Sequence, residues 1–482
     1  MKKHTNQLFL YKYRFIIGYG ALMIALFGLL SFLPSIAPGG ISTDEMNSAV
    51  TADSITPTAI STGNVINLPY YLLQKLSFRL FGLTLYSIKL PSIIIAVLAA
   101  LFIILLLNRW FKSDVAIIGS ILTTLSTAFL FLAGSGTPNI MYIFWLALIL
   151  WLGSKIVGNN HVPPLLFISF FICVGLSLYT PLLCYVALAI AIAGIIHPHL
   201  RFAVTQVKTY QFIISIAIFV LIILPLILGC IFSPSIISKL VFMDNFSLKT
   251  YLGNIATAFA PFFSFVYICD SIYLSPVFGL ATVALIFIGA LASIGQLFTS
   301  RNTVVGLLVI FAILVSGLQP HVAISIIVPI AILTAAGLES IIEKWHSLFP
   351  ENPYAHFFGT LPVIVVILII VVSGLTHFIF GYHYSAKVAK NFSNDITLIN
   401  KNLDNGAILI VSEDNVNFDF YKLFEKYSNI TVLSKLPERS DAPIAVLGSP
   451  EPKTDNLKLV KIITSPKSRN SDRLYIYEKV SQ

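Results

Sequence analysis

Asp44 and Glu45 are the residues whose types and placement most invite chemistry. They close the stretch Gly39-Gly40-Ile41-Ser42-Thr43-Asp44-Glu45, just past the first apolar run, and are two of only nine acidic residues before position 381. A carboxylate is costly in hydrocarbon, so the pair belongs at a membrane surface or in a polar cavity. Ser42 followed three residues later by Glu45 reads as a capping box opening a helix near Thr43. Both acids then lie in the first turn, where the helix dipole favours anions. Starting a helix is their plainer role, and carboxylate chemistry in a cavity is the sharper one. Asp53, about two and a half turns further on, either lines the same cavity or faces solvent. The nearest cations are Lys75, Arg79 and Lys89. Lys75 and Arg79 stand one helical turn apart and share a face. Such side chains either snorkel to lipid head groups or meet a phosphate.

The elements that must position these residues are membrane helices. The chain has 482 residues, of which 57% are hydrophobic and 11% charged, against about 25% charged in soluble globular proteins. Apolar runs near the ~20 residues that cross a bilayer recur from Phe15 to Phe380. They lie at Phe15–Leu33, Leu90–Leu107, Val115–Ala133, Ile140–Val157, Leu165–Leu178, Leu182–Ile196, Phe212–Phe232, Pro276–Phe298, Val304–Leu318, Ala323–Ile342 and Phe357–Phe380, eleven in all. Further spans after the first run argue against a signal peptide. Between the first two runs, Thr43 to Ile60 and Pro69 to Phe81 read as surface helices. Leu72, Leu73, Leu76 and Leu80 share one face of the second, as in a helix lying in the interface. With the N-terminus in the cytoplasm, inside segments hold eleven Lys/Arg and outside segments five, the sense of the positive-inside rule. The loop 38–86, a second loop Ser233 to Ser275 and the C-terminal tail are then external, and the protein belongs in the plasma membrane.

Residues 1–384 thus read as a transmembrane domain and 385–482 as a soluble extracytoplasmic α/β domain. That tail holds 14 of the 30 Lys/Arg and 12 of the 21 Asp/Glu. Its runs Ala407–Val411, Ile430–Leu433, Ile444–Leu447, Leu457–Ile463 and Leu474–Tyr477 read as strands, with a helix at Phe418–Tyr427. It has no glycine-rich phosphate loop, and no chemistry is assigned to it. The four cysteines lie in or beside apolar runs, which implies neither a disulfide framework nor a cysteine zinc site. His197 and His199 flank Pro198 on the inner side, while His377 and His383 lack acidic partners at helical spacing, so no metal site is expected. The net charge of +9 suits anionic lipid surfaces and phosphate-bearing substrates. Nucleic acid is not an expected partner.

The order of these pieces resembles the polytopic GT-C glycosyltransferases, in the dolichyl-phosphate-mannose-protein mannosyltransferase-like and aminoarabinose-transferase-like branch. The residues that carry the resemblance are Thr43-Asp44-Glu45, Asn67-Leu68-Pro69-Tyr70-Tyr71-Leu72-Leu73, Leu80-Phe81-Gly82 and Lys89-Leu90-Pro91-Ser92. Gly175-Leu176-Ser177-Leu178-Tyr179-Thr180, Leu274-Ser275-Pro276-Val277-Phe278-Gly279 and the helix Pro329 to Leu338 extend it over most of residues 15 to 345. The chain departs from the pattern at four places. Asn67-Leu68-Pro69 replaces His-Pro-Pro, Lys89 an arginine, Gly136-Thr137-Pro138-Asn139 an Ala-Arg-Pro-Asp-like stretch, and His321-Val322 an Arg-Tyr pair.

The resemblance implies an all-α polytopic membrane protein that moves a sugar from a polyprenyl-phosphate carrier to an external acceptor hydroxyl, with inversion. The acceptor would be a lipid, a protein or a wall polymer. The resemblance makes Asp44 the general base, worth about 10²–10⁴-fold, with Glu45 as second choice or backbone cap. Lys89, Lys75, Arg79, His321 and Asn139 become candidate contacts to phosphate or sugar. Tyr70, with Tyr71 and Tyr179, would stack on sugar or prenyl chain or belong to the interfacial belt. A divalent cation held by Asp44 and donor phosphate is compatible with those hard oxygens. Two other readings stand beside this one. A transporter or flippase of a lipid-linked substrate would place ionisable groups inside spans, where this chain has few. A catalytically inactive carrier-binding GT-C scaffold would fit the changes at Asn67 and Asn139.

Overall fold

The computed structural model describes residues 9–37, 39–56, 65–158, 162–241, 247–263, 276–348, 353–384, 391–404, 406–412, 415–435, 443–448, 457–464 and 473–479. Helix α1 (Phe9–Ile36) enters the membrane part. A two-residue strand β1 (Ile41–Ser42) leads directly into α2 (Thr43–Ser54). Helices α3 (Leu68–Phe81) and α4 (Leu85–Trp110) follow. Next come α5 (Ser113–Thr124), α6 (Thr127–Gly134), a 3-10 turn over Pro138–Ile140 and α7 (Met141–Val157). The chain continues with α8 (Pro164–Ser177), α9 (Leu183–Ile196), α10 (Pro198–Thr205), α11 (Thr209–Phe232), α12 (Ser235–Val241) and α13 (Leu248–Phe263). Helices α14 (Leu280–Ile294) and α15 (Ser300–Ser316), a 3-10 stretch Pro320–Ile326, α16 (Ile327–Leu348) and α17 (Pro353–Tyr384) complete the helical part.

Among the described residues six stretches are long and apolar enough to cross a bilayer, and eight if the bent pairs α5–α6 and α9–α10, at 63° and 93°, each count as one span. Helices α8, α14 and α15 are apolar but shorter. Together these elements occupy the apolar runs found in the sequence. Helix α3 has two distinct faces. Leu72, Leu73, Leu76 and Leu80 are exposed on one face, while Tyr70, Gln74, Ser77 and Phe78 are buried on the other. The stretch from Ser233, expected as a loop, contains α12 and α13 among its described residues.

Apolar matching alone does little between helices in lipid, so close backbone approach must supply the contact. At the α14–α16 crossing a Cβ on Gly289 would strike the Leu333 carbonyl, and one on Gly337 the Leu285 carbonyl. The two glycines are what let these helices touch.

The tail begins with β2 (Phe392–Ser393) and α18 (Asp395–Asn402). Then come β3 (Ile408–Ile410), α19 (Phe418–Tyr427), β4 (Thr431–Leu433), β5 (Ile444–Leu447), β6 (Leu457–Thr464) and β7 (Arg473–Lys479). The sheet order is β4-β3-β5-β7-β6. Strands β4, β3 and β5 run parallel, with α19 joining β3 to β4, and β7 pairs antiparallel with both β5 and β6. Helix α18 and strand β2 have no counterpart in the sequence reading. Strand β2 pairs antiparallel with β1, placing Ile41 against Ser393 and Ser42 against Phe392. One hydrophobic cluster runs through Met46, Ala49 and Ala52 of α2, Phe78 of α3, and Phe420, Tyr421 and Phe424 of α19. The tail therefore shares a core with helices α2 and α3 of the segment between α1 and α4.

Candidate active site

Helix α2 starts where the sequence places a capping box. The Ser42 backbone N–H donates to Glu45 Oε2 at 2.7 Å, and the Glu45 N–H donates to Ser42 Oγ at 3.3 Å. The other carboxylate oxygen, Oε1, accepts the Gly136 N–H at 2.6 Å. Lys89 Nζ, on the first turns of α4, stands 3.6 Å from the same oxygen and donates to the Gly40 carbonyl at 2.7 Å. Both side chains are 1% exposed. A charge this deep persists only when paired and hydrogen-bonded, and here each is. The pair ties three chain segments together: the Gly40–Glu45 stretch, the turn before α7, and α4.

Gln74 and Tyr70 close the same junction from α3. Gln74 accepts from Ser48 Oγ at 3.0 Å and donates to the carbonyls of Ile88 and Gly136 at 3.2 and 3.1 Å. Tyr70 and Ser92 join their hydroxyls at 2.8 Å, and Ser92 donates on to the Thr137 carbonyl at 3.3 Å. Gly136 has no room for a side chain, because a Cβ there would stand 2.6 Å from Ile88 Cγ2 and 2.9 Å from the Ile88 carbonyl.

These contacts separate the two acids. Glu45 and its partner face inward, while Asp44 is exposed. Asp44 lies close enough to His321, on the 3-10 stretch before α16, for its charge to act on the imidazole. His321 is half-buried, and its Nδ1 is shielded from solvent without a hydrogen-bond partner among the described residues. Asn139 is half-buried in the 3-10 turn that follows Gly136.

The remaining candidates lie elsewhere. Lys89 is inside the junction, where its ammonium is taken by Glu45 and Gly40, rather than open to a phosphate. Tyr70 is fully buried and Tyr179 is 3% exposed. Tyr179 donates to the Ile222 carbonyl at 2.7 Å. Both rings are packing residues, neither belt nor stacking platform, because their hydroxyls find partners inside. Lys75 and Arg79 are on α3, and Lys75 meets the far end of α2 at Asp53, about 14 Å along that helix axis from Asp44 at 1.5 Å per residue. Lys75 Nζ donates to the carbonyls of Asp53 and Ile55, the first at 2.9 Å. Arg79 is exposed.

Asp53 is neither cavity lining nor a solvated face. It accepts from Lys426 Nζ at 2.5 Å and from the Tyr427 hydroxyl at 2.6 Å. Partial burial acts to raise its pKa, but those two hydrogen bonds and the charges of Lys426 and Lys75 outweigh it, and the carboxyl sits below its ordinary value. The Tyr427 phenol is pushed up, by burial first and then by its bond to Asp53.

Among the described residues no three His, Cys, Asp or Glu side chains converge as metal ligands. A cation beside Asp44 would draw most of its oxygens from a bound phosphate and water. A cavity of about 290 Å³ lies away from Asp44, between the α5–α6 break, the start of α14 and α17, lined by residues such as Leu125, Phe278, Ile370 and His377.

Ser92 and Gly136 fall inside the sequence motifs, but nothing in the sequence points to their contacts, and Gln74 carries no signal beyond being a polar residue on an amphipathic helix. Each supports the junction through contacts to segments far away in the chain.

Residues 68–228 match the family model of the dolichyl-phosphate-mannose-protein mannosyltransferases. No curated protein sequence matches the chain. Solved structures do. The crystal structure of ArnT from Cupriavidus metallidurans bound to undecaprenyl phosphate aligns with a TM-score of 0.52 at 11% identity, over 95% of this chain and 98% of that one. The archaeal oligosaccharyltransferase AglB from Archaeoglobus fulgidus, in complex with an inhibitory peptide and a dolichol-phosphate, aligns with a TM-score of 0.53 at 11% identity, over 92% and 70%.

Proposed function

We propose that this chain, a GT-C superfamily protein of the mannosyltransferase- and ArnT-like kind, transfers a sugar from a polyprenyl-phosphate donor to an acceptor hydroxyl outside the membrane, with inversion. The observation that carries the reading is the division of labour between adjacent acids. Glu45 is locked inside and fixes the helix start, which leaves Asp44 accessible on a rigid first turn, with His321 nearby. A base held this way meets the requirement for positioned proton transfer.

In the proposed step the acceptor oxygen attacks the anomeric carbon while its proton passes to the Asp44 carboxylate. The bond from the anomeric carbon to the phosphate oxygen breaks on the opposite face, so the configuration inverts. The electron pair leaves with the carrier phosphate, whose growing charge calls for donors aimed at it. His321, whose Nδ1 has no partner among the described residues, and Asn139 are assigned to the phosphate or the sugar. Lys89 acts through Glu45 and holds the site's frame. Lys75 and Arg79 are assigned to lipid head groups and to the far end of α2. The carrier class is supported by the lipid phosphates bound to ArnT and AglB in their structures, and the carrier reaches the site from the membrane.

The test is product chemistry. The protein reconstituted in lipid nanodiscs is given a labelled polyprenyl-phosphate sugar and a membrane-fraction acceptor. A new glycosidic product with the opposite anomeric configuration is expected. Vectorial movement of the donor in sealed vesicles with no new glycosidic bond would overturn the reading in favour of transport. Saturable donor binding with neither product nor movement would leave a carrier-binding scaffold.

A further inference from the structure

We propose that the C-terminal sheet unit is a clamp that fixes helix α2 at both ends, and that Asp53 and Tyr427 are positioning residues for Asp44. The inference rests on the reading of Asp44 above for its catalytic consequence, but not for the clamp itself.

Three separate contacts point the same way. At its start, α2 is continuous with β1, and β1 is paired with β2. Ser42 is at once the strand residue opposite Phe392 and the N-cap of the helix that carries Asp44. The approach is close. A Cβ on Gly40 would stand 2.7 Å from the Ser393 carbonyl, so only glycine admits β2 there. At the other end, Asp53 takes both Lys426 and Tyr427 of α19. Between the ends, Met46, Ala49 and Ala52 pack in one cluster with Phe420, Tyr421 and Phe424. Two more contacts tie the same unit to α3 and the loop after it. The Tyr427 ring lies edge-on to Phe78 with centroids 5.7 Å apart, and Asn400 Nδ2 donates to the Leu83 carbonyl at 2.9 Å.

A two-turn displacement is not needed for this to matter. A twelve-residue helix such as α2 is marginal on its own in water, so its position is set by what grips it. Misplacing a reacting group by about 1 Å costs up to ~100-fold in rate. A unit that holds the N-cap, the buried face and the last turn thus controls where the Asp44 carboxylate stands without touching substrate.

The experiment compares the full-length protein with an Asp53→Asn/Tyr427→Phe double variant in nanodiscs, by hydrogen exchange over residues 43–54 and by transfer kinetics. Exchange over that helix is expected to quicken about tenfold or more. The kcat is expected to fall while KM for the donor stays within about twofold, the split that displacement of a catalytic group gives. Gly40→Ala attacks the clamp from the other end and should give the same signature, which keeps the test open if the double variant fails to fold. Unchanged exchange over 43–54 in both variants overturns the clamp. Faster exchange with unchanged kcat overturns the positioning role. A wild type with no transfer at all would sink the transferase reading, and exchange alone would still decide the clamp.

Discussion

Removing the Lys89 ammonium tests the junction under Asp44 most severely. At 3.6 Å, the Coulomb attraction to Glu45 is about 5 kcal/mol at an effective dielectric near 20, before desolvation is subtracted. Lys89→Met keeps most of the side-chain volume but leaves a carboxylate at 1% exposure without its counter-charge. Breaking a buried pair on one side costs about 3–5 kcal/mol. Glu45→Gln leaves the ammonium with the Gly40 carbonyl and turns one acceptor into a donor facing either the Ser42 or the Gly136 N–H, at a cost of about 1–3 kcal/mol. The double variant removes both charges, and its loss should be smaller than the sum of the single losses by about 2–3 kcal/mol, the coupling of groups in direct contact. Thermal unfolding of the four proteins in one detergent measures the cycle. Additivity within about 0.5 kcal/mol, or a Lys89→Met loss under about 1 kcal/mol, would refute the junction. Lys89 would then be free to serve a phosphate, as the family resemblance suggests.

Gly136→Ala should destabilise by about 1–3 kcal/mol through overpacking against Ile88, read by the same melts; a neutral effect would mean the turn before α7 has slack. Gly337→Leu should loosen the α14–α16 crossing and lower the melting temperature by several degrees, whereas Gly306→Leu, where a Cβ meets nothing within 4 Å, should not. The depressed Asp53 carboxyl gives the clamp a pH dependence. Its contribution is complete above the ordinary aspartate value near ~3.9 and is lost as pH falls through the lower folded value. Acidification through the lower folded value should therefore reduce the protection factor (exchange corrected for the intrinsic pH dependence) in the last turn of α2 in the wild type, and Asp53→Asn should remove that dependence on this residue. A wild-type helix indifferent to pH over that range would contradict the assignment.

What the sequence makes legible is the local part. Apolar runs locate the membrane helices because a bilayer demands length and composition, both one-dimensional quantities. Ser42 and Glu45 announce a cap three residues apart, and the tail's strands and its helix at Phe418–Tyr427 follow from short apolar runs between turns. The site's frame is not local. Glu45 meets Gly136 across 91 positions, and Asp53 meets Tyr427 across 374. No periodicity records such pairings. Tyr70 and Tyr179 sit in sequence contexts that fit an interfacial belt, and only packing shows that their hydroxyls turn inward. Gln74 reads as a polar residue on an amphipathic helix, yet it is fully buried because three chain segments offer it partners. Lys89 follows the same rule. Its position in the motif marks it as important, but whether the ammonium faces a ligand or a buried carboxylate is decided by the fold around it.

The central claim is that Asp44, and not its neighbour, takes the acceptor's proton. Single-turnover transfer from a labelled polyprenyl-phosphate sugar, measured in wild type and Asp44→Asn with donor Kd determined in parallel, tests it directly. The account predicts a rate lower by about 10²–10⁴-fold with donor affinity within about twofold. Transfer by Asp44→Asn at the wild-type rate would contradict it.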